Sequence, residues 1–510
     1  MTEQLGGSSG LDVAQRIQAA LEANPRVSEW VVRRVARREV QLYLVRQARE
    51  ALRQVESETV TVQVHNDHPA HGPARGVGAG VLTGSARSDK ETGGPVDPSV
   101  GPGGALRRGV GIVRLAGRER GEVPELLEQR LAQAAFMASL ADNELFHLPG
   151  AAGGYPAVQA FDPALAADPA KAAEELAERL LQAVAREAVR SQAESGVEIQ
   201  LSSAEFFLAR EEVAQRNSAG ARGEFIRSEA YVEMVLGVKT PQGKESERYV
   251  WLRRRRLADL RLEEWVREQA ACARDAVLAT PPATGTVDLV VEREDVARLL
   301  QPILFHASGA AAYLKLARLA PGQSLWNAVG AGREDGAPSQ ASGPAPVSGD
   351  PIHLVSDGTL PFGMATAPFD EDGLPAQRVV VVEGNVVQNL LCRKQHADYL
   401  GLPATGGATN LILKPGSTPL RELTQAPGAG TGRVLRVADF SAFEPDEVTG
   451  NFVAEIRLGY ENGRPVKGGA VRGNVFEALA GARFAAETGF FGNYQGPVAV
   501  RLPGIVVAGE

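Results

Sequence analysis

Apolar residues near the start of the chain recur at helical spacing, at Val13, Ile17, Ala20 and Leu21, before a run from Val31 to Leu52 that mixes helix-like and strand-like character. Val60, Val62 and Val64 then alternate with polar residues as a strand does. Amphipathic helices are predicted over residues 126–140 and 171–193, the second rich in the strong helix formers Ala, Leu and Glu. Strands are predicted over 197–237 and 249–257, turning at Asn217-Ser218 and at Pro241-Gln242-Gly243, and helix resumes over 262–279. Thr280-Pro-Pro-Ala-Thr-Gly285 breaks that helix and marks a domain boundary. Beyond it, 287–291 reads as a strand and 295–319 as helix. From Pro351 onward short apolar runs are separated by Gly, Pro, Asn and Asp, as in 378–383 before Gly384-Asn385 and 453–460 before Glu461-Asn462-Gly463.

These patterns predict an α+β protein: an α/β N-terminal domain over 1–283, then a β-rich C-terminal domain over 284–510, barrel-like or a stack of sheets. Two segments, near 84–109 and 330–349, are dense in Gly, Pro, Ser and Ala. They cannot bury enough apolar surface to offset their ordering entropy, and mobile insertions are expected there.

Composition narrows the class. With 510 residues, 44% hydrophobic and 23% charged, the chain is that of a globular protein too long for a single ordinary core. A formal net charge of -8 supplies no general attraction to phosphate, which argues against direct nucleic-acid binding and against anionic membranes. Two cysteines, Cys272 and Cys392, cannot build a disulfide framework, so a reducing, cytoplasmic setting is expected. No run of about 18 apolar residues predicts a membrane span, and the polar first ten residues do not resemble a secretory signal.

Several stretches carry a family resemblance. Pro368-Phe-Asp-Glu-Asp-Gly-Leu-Pro375, Leu390 to Gly401 followed by Thr405-Gly406, the Asn410 to Gly416 turn, Val448-Thr-Gly-Asn-Phe452, and Glu461-Asn-Gly-Arg-Pro-Val466 leading to Gly473-Asn474 resemble the TldD/PmbA family. This is a metallopeptidase system historically called modulators of DNA gyrase. Arg216-Asn-Ser-Ala-Gly220 and Asn143 to Pro149 add support from the N-terminal half. Active members carry His-Glu-x-x-x-His after two leucines and a cysteine ligand near the C-terminus. On a regular helix residues i and i+5 lie about 140° apart, so that motif needs a local distortion to aim both imidazoles at one metal. Here Leu299-Leu300 precede Gln301 at the first histidine position, Pro302 at the glutamate position and His306 at the second histidine position, while Phe491 stands where the cysteine belongs. A catalytic zinc needs three protein ligands and a base for its water. The resemblance therefore implies a non-catalytic TldE/PmbA-type subunit with no cofactor of its own. It also implies a heterodimer with a zinc-bearing TldD-like subunit, and unfolded or precursor peptides as substrate, paired in extended form along a cleft or sheet edge.

Two alternatives remain open at this level. One is an active metallopeptidase with a rearranged site, for which His306, Cys392 and His396 are the metal candidates; Cys392 and His396 would share a helix face if their segment is helical. The other is a regulator acting on DNA or on a topoisomerase. Two further clusters, His65, His68 and His71 around Asp67 and the run Arg253 to Arg256, read more simply as a loop cluster and a solvated edge.

Overall fold

The computed structural model describes residues 7–70, 106–120, 123–328, 347–426 and 432–509. Most of the 84–109 and 330–349 segments lies outside the described residues. Where their ends are described they are built into the fold: 106–109 open a strand, and Gly349 packs its backbone against Ala480 and Ala482.

Helix α1 (Gly7–Glu22) leads into β1 (Glu29–Val45), β2 (Ala48–Pro69), β3 (Leu106–Leu115), helix α2 (Pro124–Ala138), a single turn α3 (Ala164–Ala167), the long α4 (Pro169–Ser195), then β4 (Glu198–Asn217), β5 (Arg222–Lys239), β6 (Glu245–Arg254) and α5 (Leu262–Leu278). The ambiguous run 31–52 is therefore a strand hairpin, reversed at Arg46 in the left-handed region (φ 54°). Six antiparallel strands lie in the order β3-β2-β1-β4-β5-β6. Even-numbered apolar residues of β1, β4 and β5, such as Leu42, Phe206 and Val232, pack with Leu180 of α4 and Trp265 of α5. Val32, Val62 and Val113 pack with Ile17 of α1 and Leu131 of α2. All four long helices thus cover the same face of the sheet. α4 starts at Asp168, whose carboxylate accepts the Lys171 N–H (2.9 Å), and stops at left-handed Gly196.

After Thr280 the chain forms β7 (Gly285–Glu292) and three short helices in place of the single helix expected over 295–319: α6 (Glu294–Arg298), α7 (Gln301–His306) and α8 (Gly309–Tyr313). Pro302 lacks the N–H an interior position would donate and so begins a new first turn, and Ser308 caps α8 by accepting the Ala311 N–H. There follow β8 (Leu354–Asp357), β9 (Arg378–Glu383), β10 (Val386–Val387), α9 (Lys394–Leu400), β11 (Asn410–Leu413), α10 (Leu420–Leu423), β12 (Val434–Phe440), β13 (Asn451–Glu461), β14 (Arg464–Val466), β15 (Ala470–Asn474), α11 (Val475–Leu479), β16 (Arg483–Phe484), β17 (Thr488–Phe491), β18 (Tyr494–Pro497) and β19 (Ala499–Ala508). β12, β7, β19, β15 and β13 pair in turn, and β13 pairs back to β12, closing a five-stranded barrel. A second sheet runs β10-β9-β8-β11-β18-β17. The barrel and this sheet share one core that includes Leu289, Val381, Leu411, Ile456 and Val500. The molecule is α+β, and its C-terminal half is both a barrel and a stacked sheet.

Candidate functional site

The window from Leu299 to His306 is buried beside the barrel. Leu299, Leu300, Ile303 and Leu304 face the shared core, and His306, last residue of α7, is fully enclosed. Its Nδ1 accepts the Arg318 backbone N–H (3.2 Å), so the ring proton sits on Nε2, which donates to the Val448 carbonyl (2.9 Å). The Phe305 and Phe476 rings flank it at 5.2 and 5.8 Å. Burial, aided by the nearby Arg318 charge and opposed by the Val448 bond, pulls the imidazole below its ordinary value and keeps it neutral. Both ring nitrogens are committed to backbone, leaving no lone pair for a metal.

Pro302 is buried in the first turn of α7 and Gln301 is half-buried. Phe491 ends β17, opposite Tyr494 in a hairpin that turns at left-handed Gly492. Its ring stacks on that of Tyr494 at 6.3 Å and packs against the same core. An aromatic ring therefore fills the position at which the family resemblance calls for a thiolate. These residues do not fit a zinc site.

The other metal candidates separate in the fold. α9 begins at Lys394, so Cys392 lies ahead of the helix and does not share a face with His396, which corrects the helical expectation for that pair. The Cys392 thiol is buried against Gly309, and burial pushes its pKa up. His396 lies between the rings of Tyr313 (6.0 Å) and Tyr399 (5.9 Å). His65 and His68 fall on opposite faces of β2: His65 is enclosed near Glu29 (3.5 Å) and Phe146, while His68 Nε2 meets Asp142 (3.0 Å). His71 lies outside the described residues. Among the described residues no group of three or more His, Cys, Asp or Glu side chains is placed to hold a metal ion.

The arginine run lies at the end of the edge strand β6 with Arg253 and Arg256 half-exposed, and only Arg255 departs from the solvated-edge expectation. Arg253 pairs with Glu229 and Arg256 with Asp259 (2.7 Å), Arg256 also stacking on Phe362 at 4.2 Å. Arg255 is buried and donates to the carbonyls of Ser228 (2.8 Å), Met364 (2.5 Å) and Gly363 (3.5 Å). Burial, with the nearby Arg227 charge, draws its guanidinium down to about 10, still charged at neutral pH.

Arg255 belongs to a junction that pattern reading missed. The loop 368–375 docks on the helix-free face of the N-terminal sheet. Asn217 Nδ2 donates to the carbonyls of Pro149 (2.9 Å) and Asp372 (3.0 Å), Gln215 Nε2 to that of Asp370 (3.1 Å), and the Tyr155 hydroxyl to that of Gly373 (3.0 Å). Phe369 packs on Tyr155 and Phe225 at 4.7 and 5.4 Å. The three stretches around 143–149, 216–220 and 368–375 therefore meet in space. No periodicity signals such a meeting; only their individual family resemblance hinted at it.

Residues 284–509 match the family model described as the PmbA/TldA metallopeptidase C-terminal domain. Among curated proteins, an uncharacterised protein of Methanocaldococcus jannaschii is 28% identical over 147 residues, 26% of this chain and 34% of its own length. A metalloprotease of Methanothermobacter thermautotrophicus is 25% identical over 258 residues, 45% of this chain and 50% of its own length. The matched stretches thus span a third to a half of these relatives. Two solved structures share the fold across nearly the whole chain at 15% identity. TldE of Thermococcus kodakarensis covers 97% of this chain and 99% of itself (TM-score 0.68). A candidate modulator of DNA gyrase from Bacteroides thetaiotaomicron covers 99% of both chains (TM-score 0.70). No helix among the described residues is long and apolar enough to cross a membrane. The C-terminal domain thus matches the PmbA/TldA metallopeptidase model, and the fold of the chain as a whole is shared with TldE.

Proposed function

We propose that this chain is a TldE/PmbA-like, non-catalytic subunit of a cytoplasmic metallopeptidase, pairing with a zinc-bearing TldD-like chain and helping to hold an unfolded or precursor peptide. The observation that carries the reading is His306. The one histidine retained from the family's His-Glu-x-x-x-His has both nitrogens bonded to backbone, beside Pro302 where a base would stand. A neutral imidazole used in this way positions the 448–452 turn and the 318 strap; it offers nothing to metal-bound water. Phe491, at the third ligand position, supports the same reading independently. We further place the division between the two domains at Thr280–Gly285.

Co-expression with a paralogue that retains His-Glu-x-x-x-His tests it. The two chains are expected to co-purify, with peptide cleavage requiring both and zinc found only in the partner. Cleavage by the paralogue alone without association, or about one zinc tightly bound per isolated copy of this chain, would falsify the proposal.

A further inference from the structure

The helices α1, α2, α4 and α5 all cover one face of the N-terminal sheet, and the 368–375 loop covers the opposite face only near the β4–β5 turn. Next to that loop, the odd-numbered side chains make a charge belt that neutralises itself. Arg37 pairs with Glu39, Glu211 and Glu229, Arg227 with Glu211, and Arg253 with Glu229. Three cations meet three carboxylates there.

One step further along the strands the chemistry changes. Tyr43, Phe207, Tyr231 and Trp251, from β1, β4, β5 and β6, form a ladder of rings across four adjacent strands, with centroids 5.7, 5.5 and 6.2 Å apart. Trp251 is 57% exposed and Tyr249 beside it 52%, unusual for large aromatics on a folded sheet. At one end the Arg53 guanidinium already lies over the Tyr43 ring at 5.2 Å, so ring faces in this ladder accept a cation.

Beside the ladder Glu205 and Glu233 stand directly opposite each other on β4 and β5. Like charges in register destabilise a sheet, yet neither has an ion-pair partner among the described residues, in contrast with the belt alongside. The Tyr231 and Tyr249 hydroxyls both donate to Glu233 Oε2 (2.5 and 2.8 Å), holding that carboxylate at the edge of the rings.

We propose that this open face binds an extended polypeptide segment in which a basic side chain, flanked by apolar ones, seats between Glu205 and Glu233 while its neighbours lie on the Phe207–Tyr231–Trp251 rings. The choice of a polypeptide as occupant rests on the peptide-handling reading above; the preference for a cation rests on the sheet face itself. A guanidinium or ammonium supplies the charge that the opposed carboxylates lack, and flat rings contact varied apolar side chains without demanding one sequence.

Calorimetric titration of the isolated full-length chain tests this with two short capped peptides: one with Arg between apolar residues, and a counterpart with Glu in its place. The Arg peptide is expected to bind about tenfold tighter, as one cation–π contact with a partly desolvated ion pair gives. The double variant Glu205→Gln with Glu233→Gln is expected to lose that preference while melting at or above the parent temperature, because it removes a repulsion. Trp251→Ala is expected to weaken both peptides. Equal binding of the two peptides, no saturable binding up to about 1 mM, or an undiminished preference in the double variant overturns the proposal. These readouts need no partner subunit. A failed co-purification beside an intact charge preference removes only the subunit reading, and the reverse result removes only this one.

Discussion

His306 carries a residue-scale expectation that separates a structural imidazole from a ligand. Replacing it with leucine keeps much of the volume but strands the Val448 carbonyl and the Arg318 N–H, two partly buried groups worth about 1–3 kcal/mol each when left unpaired. His306→Leu should therefore lose about 2–6 kcal/mol in urea unfolding, while a chelator leaves the parent's midpoint unchanged. A parent stabilised by zinc and weakened by chelator would contradict that. Asp295, in the first turn of α6, makes the pH-dependent counterpart. Burial first, then Glu294 and Asp439, push its carboxyl up to about 7 against the opposing Arg298 charge, above the unfolded value of about 3.9. Between those two values the folded state keeps a proton that the unfolded chain has released, so stability falls as pH rises from about 4 to about 7. Asp295→Asn should flatten that slope and raise the unfolding free energy at pH 8 by at most about 4 kcal/mol. A variant that tracks the parent across the range would sink the assignment. Neither property was legible in sequence: the window around 301–306 showed which chemistry was missing, but not what its histidine does instead.

At the scale of elements, the docking of the 368–375 loop depends on one absent side chain. A Cβ at Gly223 of β5 would lie 2.4 Å from the Phe369 ring and 2.7 Å from Tyr155. Both rings are held, Phe369 by Phe225 and Tyr155 by its bond to Gly373, so neither can yield without undocking the loop. Gly223→Ala should cost about 1–3 kcal/mol, the usual penalty of overpacking, and should speed amide exchange in 369–374. Unchanged exchange in that loop would show that the rings relax instead. Long, strongly periodic elements such as α4, α5 and β4–β5 were readable from apolar spacing because their periods persist for several turns or pleats. The stretch 295–319 was not, since its apolar residues keep a helical period while Pro302 and Ser308 each restart the backbone. Likewise 31–52 hid a hairpin, because β1 there is buried on one face and charged on the other, with Arg46 rather than glycine at the turn.

For the whole molecule, the N-terminal sheet is joined to the C-terminal sheets by the aromatic contacts of Phe369 and by a small set of polar bonds. Arg255 reaches three carbonyls, two of them in the 363–364 turn, Arg248 pairs with Asp439 at 2.9 Å, and the Tyr460 hydroxyl donates to Asp275 at 2.8 Å. Each half also has its own apolar core, so each retains reason to fold when the junction weakens. In the parent the buried junction should couple the two into one calorimetric transition. Arg255→Met keeps the length and apolar stem of the side chain but leaves the Ser228 and Met364 carbonyls without their donor, a loss of about 2–4 kcal/mol that falls on the coupling rather than on either core. Its scan should therefore resolve into two transitions, and the N-terminal sheet should keep its far-ultraviolet signal through the first. A single transition at the parent temperature would mean that Arg255 is incidental and that the halves are held through the loop docked beside Gly223.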